Sequence, residues 1–206
     1  MAKILLQFAH PILERSRVNA PLLAAARSVE GVLVNDLYER YPKLDIDVAR
    51  EQELLLKHDV IVFQHPFYWY SAPAIVKEWQ DLVLEHGFAY GHTGHALSGK
   101  ATFNAITTGG PESAYQRGGY NRFTVRELLA PFDQTAQLCG MRFLAPFVVY
   151  GSLRLPTTSS LEPYAERYRR LLQALAHDEL DWDRASSIQN LATLFEPLPG
   201  TLELQP

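Results

Sequence analysis

The chain has 206 residues, 47% of them hydrophobic and 20% charged, with a net charge of −4. That suits one large α/β domain with a substantial core, and it leaves no basic footprint for a nucleic acid. The single Cys139 excludes an internal disulfide framework and a cysteine-based zinc site, and no apolar run nears the roughly 18 residues of a membrane span.

The N-terminus enters a strand at once, without an apolar signal region, so a cytoplasmic protein is expected, with any membrane association peripheral. Lys3 to Ala9 reads as a central strand, stopped by His10-Pro11. A loop from Ile12 to Val18 precedes a helix with Asn19 as N-cap and Pro21 in its first turn, ending near Gly31. Val32 to Tyr38 reads as a second strand. Arg50 to His58 is helical, with Leu54, Leu55 and Leu56 toward its buried side. Asp59 opens the third strand, whose apolar run Val60 to Phe63 leads to Gln64, His65 and Pro66. Phe67, Tyr68, Trp69 and Tyr70 follow, and a helix opens near Ser71. That helix, Ala72 to His86, carries Ile75, Val76, Trp79, Leu82 and Val83 at helical spacings.

Gly87 to Gly99 is a loop rich in Gly and His. Ala101 to Thr108 is the fourth strand, broken by Gly109-Gly110, and Pro111 to Asn121 is a polar loop. Phe123 to Cys139 is helical, with Pro131 as a kink or a second start. Phe143 to Tyr150 is the fifth strand and Leu161 to Ala176 the last helix. From Asp178 the periodicity fades, and Pro197, Pro199 and Pro206 argue for a docked or loose tail. The expected division is a domain over 1–177 and an extension over 178–206.

Five alternations of strand and helix predict a five-stranded parallel sheet, order 2-1-3-4-5, with helices on both faces. The loops after Phe8, Gln64 and Thr108 then converge at the switch point, where ligands bind in such sheets. The first loop offers His10, Arg15, Ser16, Arg17, Val18 and Asn19 ahead of a helix, which suits a phosphate; ordinary helix capping with solvent-facing arginines explains the same residues. The second offers Pro66, Phe67, Tyr68, Trp69 and Tyr70 as a flat wall or, equally, as a hydrophobic staple. The third, Thr107, Thr108, Gly109 and Gly110, allows a ring edge close to the backbone, with the N–H groups near Thr108 and Gly109 as donors to it, or simply ends a strand. Together they suit a flavin phosphate and its ring system. A G-x-G-x-x-G, a P-loop and a G-x-S-x-G are all absent from the sequence. His86, His92 and His95 lack a clear further ligand, so no metal is expected.

These residues resemble the flavodoxin-like quinone reductase family that includes DT-diaphorase. The resemblance rests on Ala9-His10-Pro11 with Ser16 and Asn19, Gln64-His65-Pro66 before the aromatics, Lys77-Glu78-Trp79, Gly87-Phe88-Ala89-Tyr90, and Ile106 to Gly110. Asp36-Leu37-Tyr38, Tyr41-Pro42, Asp45-Ile46-Asp47, Arg50-Glu51-Gln52 and Pro111 to Tyr115 resemble the ancillary proteins of glutathione-regulated potassium-efflux systems.

The resemblance implies FMN, with FAD as the alternative, and NAD(P)H as co-substrate. It implies flavin binding by the three loops, and a homodimer with Tyr90 and His92 on the substrate side. Tyr115 matches a family tyrosine beside the flavin ring. Asn121 stands where the family has a histidine, and it cannot become cationic. Tyr115, Trp69 and Gly109 are the expected catalytic residues, Tyr115 also touching the cofactor, and Tyr90, His92 and Asn121 the substrate-side ones. The leading expectation is two-electron reduction of quinones or related electrophiles. Its rivals are a regulatory subunit docked on the cytoplasmic face of a potassium-efflux transporter and, third, a flavodoxin-type electron carrier.

Overall fold

The computed structural model describes residues 1–155 and 161–195. In chain order it has β1 (Ile4–Phe8), α1 (Asn19–Arg27), β2 (Val32–Asp36), α2 (Leu37–Arg40), α3 (Val48–Lys57), β3 (Val60–Pro66) and α4 (Ala74–Val83). Then come β4 (Ala101–Thr107), α5 (Val125–Leu128), α6 (Ala130–Leu138), β5 (Arg142–Phe143), β6 (Phe147–Val149), α7 (Glu162–Ala176) and α8 (Trp182–Ser187). A 3-10 turn, Leu191–Phe195, ends the described residues.

The sheet order is β2-β1-β3-β4-β5, with β6 also on β4, and every pairing is parallel. The expected order therefore holds, and β1, β3 and β4 are buried along their whole lengths. Unbroken apolar runs form such strands because helices cover both faces. On one face Val60, Val62 and Phe103 pack against Leu22 and Leu23 of α1 and Tyr168 and Leu171 of α7. On the other, Ile61 and Phe63 meet Leu55 of α3, Trp79 of α4 and Phe132 of α6. Phe63 and Trp79 meet edge to face, centroids 5.5 Å apart. Each such fully buried side chain contributes about 1.5–3 kcal/mol. No helix among the described residues is long and apolar enough to cross a membrane.

Several boundaries differ from expectation, each for a local reason. The second strand stops at Asp36, whose carboxylate accepts the Glu39 N–H and caps α2. Asp47 caps α3 in the same way, starting it before Arg50; Leu55 alone of its three leucines is fully buried, and Leu56 is exposed. Asn19 is the first helical residue rather than the N-cap, a position held by Val18. Pro66 ends β3 in register with Thr107, and α4 begins only after Pro73. Leu82 is partly exposed where the helical spacing placed it inward.

Pro131 marks a second start: α5 carries a Thr124/Glu127 capping box, and α6 has Pro in its first turn. The fifth strand is split into β5 and β6 around Ala145-Pro146, because Ala145 N–H turns to Ala185 O at 2.9 Å and proline has no N–H to give.

Residues 178–195 are docked. Leu180, Ala185, Leu191 and Ala192 join the core beside α7. The Asn190 side chain behaves as a peptide group beside β6, accepting the Val148 N–H at 2.9 Å and donating to Val148 O at 3.0 Å. This covers an edge that would otherwise present unpaired backbone. Pro197, Pro199 and Pro206 lie outside the described residues.

Candidate functional site

The carboxyl ends of β1, β3 and β4 bring the first two loops and part of the third together. A cavity of about 670 Å³ lies there, lined by His10, Arg15, Ser16, Arg17, Val18, Asn19, Pro66, Phe67, Tyr68, Thr107 and Gly109. Its size is that of a small-molecule site, roughly 300–1,000 Å³.

One wall is rich in donors. Ser16 Oγ accepts the Asn19 N–H at 3.0 Å, which shapes the entry to α1. Asn19 Nδ2 donates to Thr107 Oγ1 at 3.1 Å, tying α1 to β4. No acidic residue stands in the first turn of α1, so its positive end faces the cavity uncompensated, with Arg15 and Arg17 beside it. The Ile12 N–H donates to His10 Nδ1 at 3.2 Å, which places the ring proton on Nε2. Burial holds the His10 pKa below its ordinary value, so the ring is neutral at pH 7. Asn19 Oδ1 and Gln64 Oε1 are buried acceptors with no partner among the described residues. Such atoms fit hydroxyl donors arriving with a ligand.

The opposite wall is aromatic. Tyr68 to Ser71 form a tight turn, closed by the Ser71 N–H on Tyr68 O at 3.0 Å. Trp69 and Tyr70 have φ of 49° and 61°, the left-handed region, at a cost of about 1–3 kcal/mol each. The turn buries Phe67, leaves Tyr68 and Tyr70 half exposed, and holds Trp69 93% exposed at its tip. Trp69 is therefore outside the cavity wall, while Phe67 and Tyr68 form it.

At the third loop the Thr108 N–H is already used, donating to Val149 O at 2.9 Å. It is not free for a ring edge, contrary to expectation, although Gly109 does line the cavity. A Cβ at Gly109 would lie 3.1 Å from Leu153, so the missing side chain leaves the approach open. A second cavity, about 540 Å³, lies on the far side of this edge and holds Tyr70, Gly110, Tyr115, Tyr120 and Asn121. Tyr115 is 8% exposed, its ring 6.2 Å from Phe67 and 5.9 Å from Tyr150. Burial, the largest effect, raises its pKa, and the neighbouring Thr108 and Asn121 side chains oppose that rise.

Tyr90 and His92 are not brought to either cavity. They follow α4, whose ten residues run about 15 Å away from the site. The Tyr90 ring instead packs edge-on against His86 at 5.5 Å. No group of three His, Cys, Asp or Glu placed to hold a metal occurs among the described residues.

Sequence reasoning placed Arg15 in the first cavity but missed Ile12, Ser152 and Leu153 there and Tyr120 in the second. Ser152 and Leu153 follow β6, so the rule that ligands sit at the carboxyl ends of strands already pointed to them.

The family model for the flavodoxin-like fold matches residues 2–172. The glutathione-regulated potassium-efflux system ancillary protein KefG of Serratia proteamaculans (strain 568) is 49% identical over 166 residues, 81% of this chain and 90% of that protein. Among solved structures, the general stress protein 14 of Treponema denticola in complex with FMN is 36% identical, with a TM-score of 0.78, over 84% of this chain and 99% of that one. An NADPH-quinone reductase from P. pentosaceus is 34% identical, with a TM-score of 0.74, over 82% and 96%. A structure named a thermophilic tryptophan halogenase from Streptomycin violaceusniger is 42% identical, with a TM-score of 0.78, over 82% and 97%.

Proposed function

The chain belongs to the family of the flavodoxin-like fold, and we propose that it is a flavin-dependent NAD(P)H:quinone oxidoreductase, ancillary to a glutathione-regulated potassium-efflux system. One observation carries the chemistry: a donor-rich helix end and a flat aromatic wall meet in a single cavity of cofactor size. FMN is the group that this arrangement fits, and when bound it supplies a ring that takes a hydride from NAD(P)H and yields it to a quinone.

Ser16, Arg15, Arg17 and the first turn of α1 hold the phosphate. Asn19 Oδ1 and Gln64 Oε1 accept from the polyol hydroxyls. Phe67 and Tyr68 cover one face of the ring and exclude water. Gly109 lets the ring edge approach, and Tyr115 keeps a proton on Oη beside the reacting ring. Holding charge in such a dry, fixed setting is the protein's share of the rate.

The site is incomplete in one chain. Tyr90 and His92 lie beyond the reach of their own pocket, and Trp69 stands 93% exposed beside it. A homodimer answers both, with Trp69 covered and the Tyr90–His92 loop reaching the substrate side of the partner. The halogenase name of one similar structure raises another chemistry, and no observation in this pocket favours it over hydride transfer.

A second reading is favoured by the word ancillary in the relatives' names: a regulatory subunit at the inner face of the membrane whose turnover is dispensable. Tyr115→Phe separates the two. The reductase reading predicts lost NAD(P)H:quinone turnover in the variant and sedimentation of the wild type as a dimer; transport activation that survives the loss supports the regulatory role.

A further inference from the structure

Tyr115 also lines a third cavity, about 440 Å³, formed by its own loop, α5, Tyr150 after β6 and Gln189 after α8. Its size again is that of a small-molecule site. Apart from Tyr115, none of its residues belongs to the flavin site. Its charges divide into an engaged pair and a separated one. Glu127 closes the capping box with Thr124, and its Oε1 accepts from Arg117 Nε at 3.1 Å and Arg117 Nη2 at 2.9 Å. Arg126 and Glu112 line the same cavity with no ion-pair partner among the described residues.

Arg126 is held from one side. Its Nη1 donates to Ser186 O at 2.7 Å and Ile188 O at 2.8 Å, carbonyls left open where α8 ends. Capping explains that contact but not the other edge. Nε and Nη2, the donor pair that grips a carboxylate side-on, have no partner among the described residues. A guanidinium already fixed at one tip loses little further freedom when that edge takes an anion. The Gln116 and Gln189 amides and the Tyr150 hydroxyl, in the same cavity, also have no hydrogen-bond partner among the described residues. An anion alone would meet Glu112 and Glu127 there, and a cation alone would meet Arg117 and Arg126. The two signs balance, so a neutral molecule that carries both is the one repelled by neither.

We propose that this third cavity binds a small zwitterion, an amino acid or short peptide. Its carboxylate sits in the Nε–Nη2 fork of Arg126 and its ammonium beside Glu112. Gln116, Gln189 and Tyr150 serve the polar atoms between the two ends. No covalent step is involved, and the site does not depend on the flavin reading.

The test is a titration of the full-length, 15N-labelled protein with triglycine, a zwitterion without side chains. It is followed on the Arg126 Nε–H signal, identified by its loss in Arg126→Lys. That signal should move saturably in the millimolar range. N-acetyl-triglycine lacks the ammonium and triglycinamide lacks the carboxylate. Each should bind about tenfold more weakly, the weight of one charge-assisted hydrogen bond. Glu112→Gln should weaken triglycine by the same factor and leave the acetylated peptide unaffected, so the two losses do not add. Glu112 is exposed, so that variant carries no folding risk of its own. Glycine that binds as tightly as triglycine would identify a free amino acid as the ligand, and weaker glycine a short peptide; either upholds the site. A signal unmoved by triglycine would overturn the proposal, as would equal binding of the three peptides or losses that add. The readout is binding, so a protein without flavin or turnover would overturn the reductase reading and leave this test intact.

Discussion

The replacement Glu51→Gln should cost about 3 kcal/mol of stability, although it alters one atom in a side chain far from the aromatic turn. Glu51 is fully buried on α3. Its carboxylate accepts from Gln7 Nε2 at 3.0 Å, Asn35 Nδ2 at 2.9 Å, Tyr41 Oη at 2.7 Å and Trp79 Nε1 at 2.8 Å, and pairs with Arg50 Nη1. These donors come from β1, β2, the segment after α2, α4 and α3 itself, so one group ties the whole face together. An amide of the same shape turns an N–H2 toward donors that need an acceptor, and it leaves Arg50 without its countercharge.

Breaking a buried pair costs about 3–5 kcal/mol; Arg50 is one-third exposed and can turn to water, so the lower end applies. At about 2–4 °C per kcal/mol for a chain of this size, Tm should fall by about 6–12 °C. Thermal melts and urea unfolding at pH 7, with an unchanged m-value, read this directly. A loss below about 0.5 kcal/mol would refute the claim that the carboxylate's acceptor capacity is in full use.

Other predictions follow from equally local observations. His65 is fully buried, donates from Nδ1 to Pro66 O at 3.0 Å, takes the Asn104 Nδ2–H on Nε2 at 3.2 Å, and has its pKa pushed down to about 4 by burial. The unfolded chain binds its proton near pH 6.5, so this stability is complete above that pH and drains as pH falls toward 4, by up to about 3 kcal/mol. His65→Gln should flatten the wild-type difference between urea unfolding at pH 7 and at pH 5; an unchanged difference would count against it. Tyr168 has a buried hydroxyl with no partner among the described residues, so Tyr168→Phe should raise stability by about 1 kcal/mol, and a loss in a thermal melt would mean the hydroxyl is engaged. Asn190→Ala strands the Val148 N–H and C=O, and should cost about 2–3 kcal/mol in urea unfolding, against less than 0.5 for Gln189→Ala.

The strands that carry the site were legible because their apolar runs have no polar face. Val60 to Phe63 can only be covered on both sides, and the chain puts a helix before and after it. The donor-rich first loop and the aromatic second were legible as residue types placed at strand ends. What the sequence hid is orientation. Nothing in Phe67-Tyr68-Trp69-Tyr70 says that two left-handed residues turn Trp69 outward and leave Phe67 inside. Thr108 looked like a free backbone donor because β6, which takes its N–H, is separated from it by some forty residues. The network around Glu51 was hidden for the same reason: its donors lie on five separate segments. Residues 178–195 lacked periodicity because they contact the core through single residues, Leu180, Ala185 and Leu191, rather than along a helical stripe.

The central claim is that the loops after β1, β3 and β4 form a flavin site. The measurement that tests it most directly is the absorption spectrum of the purified protein, followed by chromatography of whatever it releases. The account predicts a yellow protein that releases one FMN per chain and is bleached by NAD(P)H. Release of FAD would correct the cofactor within the same site. A colourless protein that takes up neither FMN nor FAD would contradict the account.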